Sequence, residues 1–196
     1  MRVGTTFWTA VALITALLSA CGSAEDDCTG AVVEPSTDAI QFGSLVLDGP
    51  RGVQGDLKLP ESRTVFLKNR CSAPLEVKKA CLIENAHDGD ESASAFSLEY
   101  EPGLTPPIQV KPAKDTAIRI TFDVASINTD ANDDGDADYN RSILLIFSNA
   151  SNGKVTALPV CGRAVDDPEA AAAGAGPCEL PSEFDVSMFS EASCGD

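Results

Sequence analysis

Between Ile118 and Val124 the chain alternates without a break: Ile118, Ile120, Phe122 and Val124 are apolar, and Arg119, Thr121 and Asp123 between them are polar. A period of two places successive side chains on opposite faces of an extended strand, whereas a helix would scatter them around its circumference. A strand built this way buries one face and wets the other, so it needs a second layer to pack against. The same pattern recurs nearby. Phe96, Leu98 and Tyr100 alternate with Ser97 and Glu99; Leu75 and Val77 alternate with charged neighbours; and Thr64-Val65-Phe66-Leu67 is a β-prone core within Ser62 to Asn69. The unbroken apolar run from Ile143 to Phe147 suits a strand buried inside a sandwich, and Leu158 and Val160 end the series. No segment from 37 to 165 carries a helical period. Six or seven strands at this spacing predict an all-β fold, an immunoglobulin-like β-sandwich over 37–165. With 43% apolar residues the chain of 196 has material for one such core plus flanking tails.

The first twenty residues read differently. Arg2 precedes an apolar run from Phe7 to Leu18, too short for a mature span of roughly 20 residues but suited to a signal peptide. It ends in Leu18-Ser19-Ala20-Cys21, followed by Gly22-Ser23. This resembles the lipobox of bacterial lipoproteins, in which small residues precede a cysteine that is acylated and becomes the new N-terminus. The resemblance implies a signal peptide at 1–20, lipidation of Cys21 and attachment to the cell envelope. Glycine rather than aspartate at position 22 implies the outer membrane. Several acyl chains would hold the protein firmly, at about 0.8 kcal/mol per buried methylene, where one chain alone binds marginally. Residues 21–36, small and polar with Asp26, Asp27 and Pro35, read as a tether.

Of seven cysteines, the lipidated one leaves six, an even number in an exported chain and therefore a disulfide set with 15 connectivities. There is no Cys-x-x-Cys pair, and His87 is the sole histidine, so the usual Cys/His zinc site is not available. Past Val165 the composition shifts to Asp166-Asp167-Pro168-Glu169, an alanine run and Gly174-Ala175-Gly176-Pro177. Residues 166–196 are read as a linker into a C-terminal loop closed by Cys178–Cys194, which would contribute roughly 3 kcal/mol through loop entropy.

Charge and catalytic motifs narrow the function. Fourteen basic residues face 30 acidic ones, a net −16, and such a surface repels phosphate backbones, which excludes nucleic acid as a partner. The chain lacks Gly-x-Ser-x-Gly, His-Glu-x-x-His and any glycine-rich phosphate loop, and His87 lies among Asn85, Asp88, Gly89 and Asp90 in a polar stretch. The expectation is a protein without catalytic activity.

One stretch carries metal chemistry. Asp130, Asn132, Asp134, Asp136 and Asp138 supply oxygens on alternate residues, with Gly135 at the sixth position of the series, and resemble the calcium loops of EF-hands and dockerins. Calcium needs six or more oxygens, and position 12 holds Arg141 in place of the bidentate glutamate. Two readings stand: a calcium site weakened to about 10⁻⁴–10⁻³ M, or a solvated acidic loop with a glycine at its bend. No other cofactor is implied.

Several segments also resemble, in order, the choice-of-anchor and ASH-type immunoglobulin-like domains of bacteria. Ile40-Gln41-Phe42-Gly43 is similar to their opening LDFG; Thr64 to Asn69 to their TVTLTN strand; Ser72-Ala73-Pro74-Leu75 to their SAPL turn. Ile108 to Pro112, before Ile118 to Phe122, is similar to LxPG and VTVTF; Phe147-Ser148-Asn149 and Leu158 to Gly162 are similar to ITSN and VPLSG. Three places depart from the pattern: Ala113 stands where the family has glycine, the turn after Asn69 reads Arg70-Cys71, and an acidic insertion runs from Ala125 to Asn140. The resemblance implies an extracytoplasmic or scaffolding sandwich for protein interaction and brings no catalytic residues. Its strand order further implies Cys28–Cys71 at one pole of the sandwich and Cys81–Cys161 at the other. The functional expectation is a lipid-anchored binding or adhesion module for an unidentified protein or glycan. A structural accessory subunit of an envelope complex and a chaperone-like binder of a client strand at a sheet edge are the alternatives.

Overall fold

The computed structural model describes residues 30–46, 59–84, 95–124, 139–165 and 177–195. Among them the chain forms β1 (Val33–Pro35), β2 (Ile40–Val46), β3 (Glu61–Asn69), β4 (Leu75–Glu84), β5 (Phe96–Tyr100), β6 (Ile108–Val110), β7 (Asp115–Phe122), β8 (Asn140–Ser148) and β9 (Val155–Val165). They make two sheets, ordered β1-β3-β7-β5 and β2-β9-β8-β4-β6. Every pairing is antiparallel except β2 with β9. The chain crosses from β3 in one sheet to β4 in the other, and the β8–β9 hairpin sits at the heart of the five-stranded sheet. That is the immunoglobulin-like arrangement, and the fold is an all-β sandwich of this kind.

The alternation seen in the sequence maps directly onto the two layers. Along β7, Ile118, Ile120 and Phe122 are fully buried, and Val65 and Leu67 of β3 face the same interior. From the other sheet come Leu75 and Val77 of β4, Leu144 and Ile146 of β8, and Leu158 and Val160 of β9. Near one end Phe42, Phe96 and Phe122 cluster with ring centroids 5.0 to 5.9 Å apart. Burial of this many large side chains, at about 1.5–3 kcal/mol each, is what offsets the entropy of ordering the strands.

Strand directions define two poles. At the near pole, where residues 30–33 enter, lie the ends of β3, β6 and β8 and the starts of β4, β7 and β9. The far pole holds the ends of β2, β4, β7 and β9 and the starts of β3, β5 and β8. Asn69, wholly buried, knits the near pole. Its side-chain amide donates to the carbonyls of Ala73 (2.8 Å) and Val110 (3.0 Å), and its Oδ1 accepts from the amide of Cys71 (3.2 Å).

Three expectations are corrected by these coordinates. Strand pairing starts at Val33, within the stretch read as tether, because Glu34 and Pro35 lie opposite Lys68 and Leu67 on β3. Cys81 does not pair with Cys161. They sit on β4 and β9 with β8 between them, and two inter-strand spacings of nearly 5 Å exceed the Cα reach of a disulfide. Nor does Cys178 pair with Cys194. Cys161 bonds Cys178 and Cys81 bonds Cys194, with Cα separations of 5.7 and 5.6 Å. The C-terminal segment therefore does not close on itself. It crosses the outer face of the five-stranded sheet as a strap, fixed at β9 on one side and at β4 on the other. Leu180, Phe184 and Phe189 of the strap pack on Ile143, Leu145 and Phe147 of β8, forming a second small core. Lys78 pairs with Glu191 at 3.3 Å, and Lys79 donates to the carbonyl of Gly195.

Candidate functional site

With the strap over one sheet, the outer face of β1-β3-β7-β5 is the one left uncovered among the described residues. Alternation places Ser62, Thr64, Phe66 and Lys68 of β3 on it, beside Arg119 of β7 and Ser97 and Glu99 of β5, all exposed. Phe66 is the anomaly. It occupies a position the pattern reserves for polar residues, and it is 47% exposed. Opposite it in register is Ala117, whose methyl group leaves the sheet low at that point. The result is a shallow cavity of about 320 Å³, floored by Ala117 and walled by Phe66 and Thr64 on one side and by Glu99, Glu101 and Pro102 on the other. Arg119 closes one end, 4.0 Å from the Glu99 carboxylate. An aromatic face beside a guanidinium, two carboxylates and a hydroxyl can hold a ligand by stacking and orient it by hydrogen bonds.

Tyr100 forms part of the same wall but points inward. Its hydroxyl accepts from the amide of Ala80 (2.8 Å) and donates to the carbonyl of Ala80 (3.1 Å), on the facing sheet. Burial pushes its pKa above the usual 10.0, and the backbone bond to Ala80 opposes that rise.

At the far pole a second polar group gathers on the outer face of the five-stranded sheet. The guanidinium groups of Arg163 and Arg141 lie over the Tyr139 ring, 5.1 and 5.6 Å from its centroid. Arg163, buried, donates to the hydroxyl of Ser44 at 2.6 Å, and Arg141 donates to the carbonyl of Pro177 at 3.1 Å. The cation that stands at the twelfth position of the calcium-like series is thus turned toward the strap.

The calcium-like residues themselves, Asp130, Asn132, Asp134, Asp136 and Asp138, lie outside the described residues, as do Cys21, Cys28 and His87. Among the described residues there is no group of three or more metal-ligating side chains. Cys71 is disulfide-bonded at the near pole, to a partner outside the described residues. With Cys81–Cys194 and Cys161–Cys178, disulfide bonding of this extent belongs to an oxidising, extracytoplasmic compartment. Sequence reasoning passed over Phe66 as one letter of a β-prone run; its parity, outward among Ser62, Thr64 and Lys68, was the available signal.

No protein-family model matches the chain, and no curated protein matches it. Among solved structures it is similar to a protein of unknown function from Porphyromonas gingivalis W83, with 15% identity and a TM-score of 0.45 over 68% of this chain. The chain spans about half, 46%, of the length of that protein. It is similar also to an ASH/PapD-like domain of human CEP192, 10% identical with a TM-score of 0.42, over 70% of this chain and 88% of that one. A third similar structure is the CupB2 chaperone of Pseudomonas aeruginosa, 14% identical with a TM-score of 0.40, over 71% of this chain and 61% of that one.

Proposed function

We propose that the protein is a lipid-anchored, extracytoplasmic binding module without catalytic chemistry, and that it engages a protein or glycan through the outer face of β1-β3-β7-β5. The observation that carries this reading is the asymmetry of the two faces. A disulfide-fixed strap covers one, while the other presents Phe66 and the cavity over Ala117 to solvent. Exposed aromatic surface set among polar groups is where partners bind.

The cysteine count supports the anchor. Four cysteines are joined in two pairs and Cys71 is bonded, which leaves Cys21 and Cys28. Acylation of Cys21, as its lipobox-like setting implies, assigns Cys28 to Cys71. The edge strands give the chaperone reading less support. Of the four edge strands, β1 and β6 have three residues each and β2 is interrupted by a bulge at Gly43, where φ is +76°, which leaves β5, of five residues, as the regular edge. Short or bulged edges are poor templates for an added strand.

The test is recovery of partners from detergent-solubilised envelopes with wild-type protein and with Phe66→Ala and Arg119→Glu, beside Met188→Ala on the strap as control. The expected result is a stoichiometric partner lost in the first two variants and kept in the third. Equal recovery by all would place binding elsewhere. Mass spectrometry of native material tests the anchor separately, through diacylated or triacylated Cys21.

A further inference from the structure

Three turns cap the near pole: 70–74 between β3 and β4, 111–114 between β6 and β7, and 149–154 between β8 and β9. They read Arg-Cys-Ser-Ala-Pro, Lys-Pro-Ala-Lys and Asn-Ala-Ser-Asn-Gly-Lys, with four cations and no carboxylate, in a chain whose net charge is −16. Arg70, Lys111, Lys114 and Lys154 are all exposed. Arg70 is held by Glu34; Lys111, Lys114 and Lys154 make no ion pair among the described residues. On the rim Lys68 stands against Glu34, Glu76 and Asp115, so among the described residues the turns and rim carry five cations to three carboxylates, and the sequence leading in, 22–29, adds Glu25, Asp26 and Asp27. In an acidic protein the turns are a local inversion of charge.

The turns are held in place. Asn69 accepts at its backbone oxygen from Ala113 and donates its amide hydrogen to Lys114, and Lys114 donates to Lys111. The chain enters at the same pole and is held by the third turn. Asn152 exchanges two side-chain hydrogen bonds with the backbone of Val33, and Ser151 donates to the carbonyl of Ala31 through both its amide (2.7 Å) and its hydroxyl (3.0 Å). The sequence between or after the strand ends of the far pole, 47–58, 85–94, 125–138 and 166–176, lies outside the described residues and holds thirteen acidic and two basic residues.

We propose that the near pole docks on a bilayer surface of anionic phospholipid headgroups, so that the domain stands on its cationic turns with the far strand ends directed away. The inference builds on the lipid-anchor reading: Cys21 precedes Gly30 by nine residues, at most about 30 Å of extended chain, so an acyl group there holds this pole next to the membrane. Attraction between headgroups and lysines decays over about 8 Å at physiological ionic strength. At contact the four turn cations therefore act, and charges farther from the surface than that are screened. The same screening explains why a protein of this net charge can bind an anionic surface at one end only.

The test uses the acylated full-length mature protein in two kinds of vesicle, one of phosphatidylcholine and one half phosphatidylglycerol. Flotation in phosphatidylcholine reads the anchor alone. Lysine acetylation followed by mass spectrometry reads the pole. The expected result is flotation in both, with Lys111, Lys114 and Lys154 acetylated several-fold more slowly in the phosphatidylglycerol vesicles, Lys78 unchanged, and the protection lost in 0.5 M salt (about 4 Å screening) while flotation persists. The triple variant Lys111→Glu, Lys114→Glu, Lys154→Glu should float and leave Lys68 equally acetylated in both vesicles. Flotation with equal acetylation of the wild type in both overturns the docking surface and leaves the anchor standing. Failure to float in phosphatidylcholine overturns the anchor; protection in phosphatidylglycerol alone would then still support the pole.

Discussion

The Tyr100 hydroxyl on β5 closes the backbone of Ala80 on β4, accepting from its amide and donating to its carbonyl. β6 pairs with β4 only from Leu75 to Val77, and a bulge follows between Val77 and Lys79, so beyond it the outer edge of β4 has no strand to bond among the described residues. One side chain from the facing sheet takes that place. Tyr100→Phe keeps the ring and strips both bonds, and it should cost about 1–3 kcal/mol in urea unfolding, the range for a buried group left unpaired. A loss below 0.5 kcal/mol would mean that water replaces the hydroxyl.

The same residue gives the fold an alkaline limit. Burial raises the folded-state pKa of Tyr100 above the 10.0 expected unfolded. A raised pKa means that the unfolded chain loses its proton first. Its contribution is whole below pH 10 and drains away as pH climbs through the raised folded value. The stability difference between wild type and Tyr100→Phe should therefore narrow in unfolding curves taken above pH 10, and a constant difference would contradict the assignment.

Asn69 satisfies two carbonyls and one amide from inside the near pole, with no solvent to replace it. Asn69→Ala should destabilise the domain by about 2–4 kcal/mol, because several backbone groups lose their partner at once. Asn69→Asp should be no better, since a carboxylate cannot donate to Ala73 or Val110. Thermal melts followed by circular dichroism would show both; a shift of less than 2 °C in either would refute the hub.

Ala113 adopts φ of +56°, in the left-handed region. A side chain there costs about 1 kcal/mol, which glycine escapes at a smaller entropic cost. Ala113→Gly should be neutral to stabilising, by up to about 1 kcal/mol, whereas glycine at an ordinary exposed position would destabilise. A clear loss of stability in the same denaturation assay would contradict this.

Removing Cys81–Cys194 by a double change to serine should release one side of the strap. The expected cost is about 2–5 kcal/mol, with new binding of a hydrophobic dye at Ile143, Leu145 and Phe147. Dye binding equal to that of the wild type would show that packing alone holds the strap down.

Much of this architecture could be read from the residue order. The alternation in β5, β7 and the start of β4 placed the right side chains inward, because a sandwich wetted on one side leaves that imprint. β1 and β6, with three residues each, are too short to show a period, and the bulge in β4 falls on two adjacent lysines that match either register. The Ile143 to Phe147 run was rightly read as a strand buried in the sandwich, but the cover on its outer face was missed. Leu180, Phe184 and Phe189 were assigned to a self-closing loop, although three large apolar residues in a short tail need a surface to cover. The cysteine partners were illegible for a related reason: pairing follows which strand faces the strap, and no spacing along the chain encodes that. Of the candidate site, Phe66 was visible by parity alone. The hollow beside it depends on Ala117, whose position opposite Phe66 is a matter of register.

Because Cys81 and Cys194 are 113 apart in sequence and Cys161–Cys178 is nested between them, the chain they join forms a covalent ring with a smaller ring inside. A protease that cuts once anywhere from 82 to 193 leaves both fragments attached to each other. Such a protein can be nicked on its exposed side without being shed, and the damage would become visible only on a gel run with reductant.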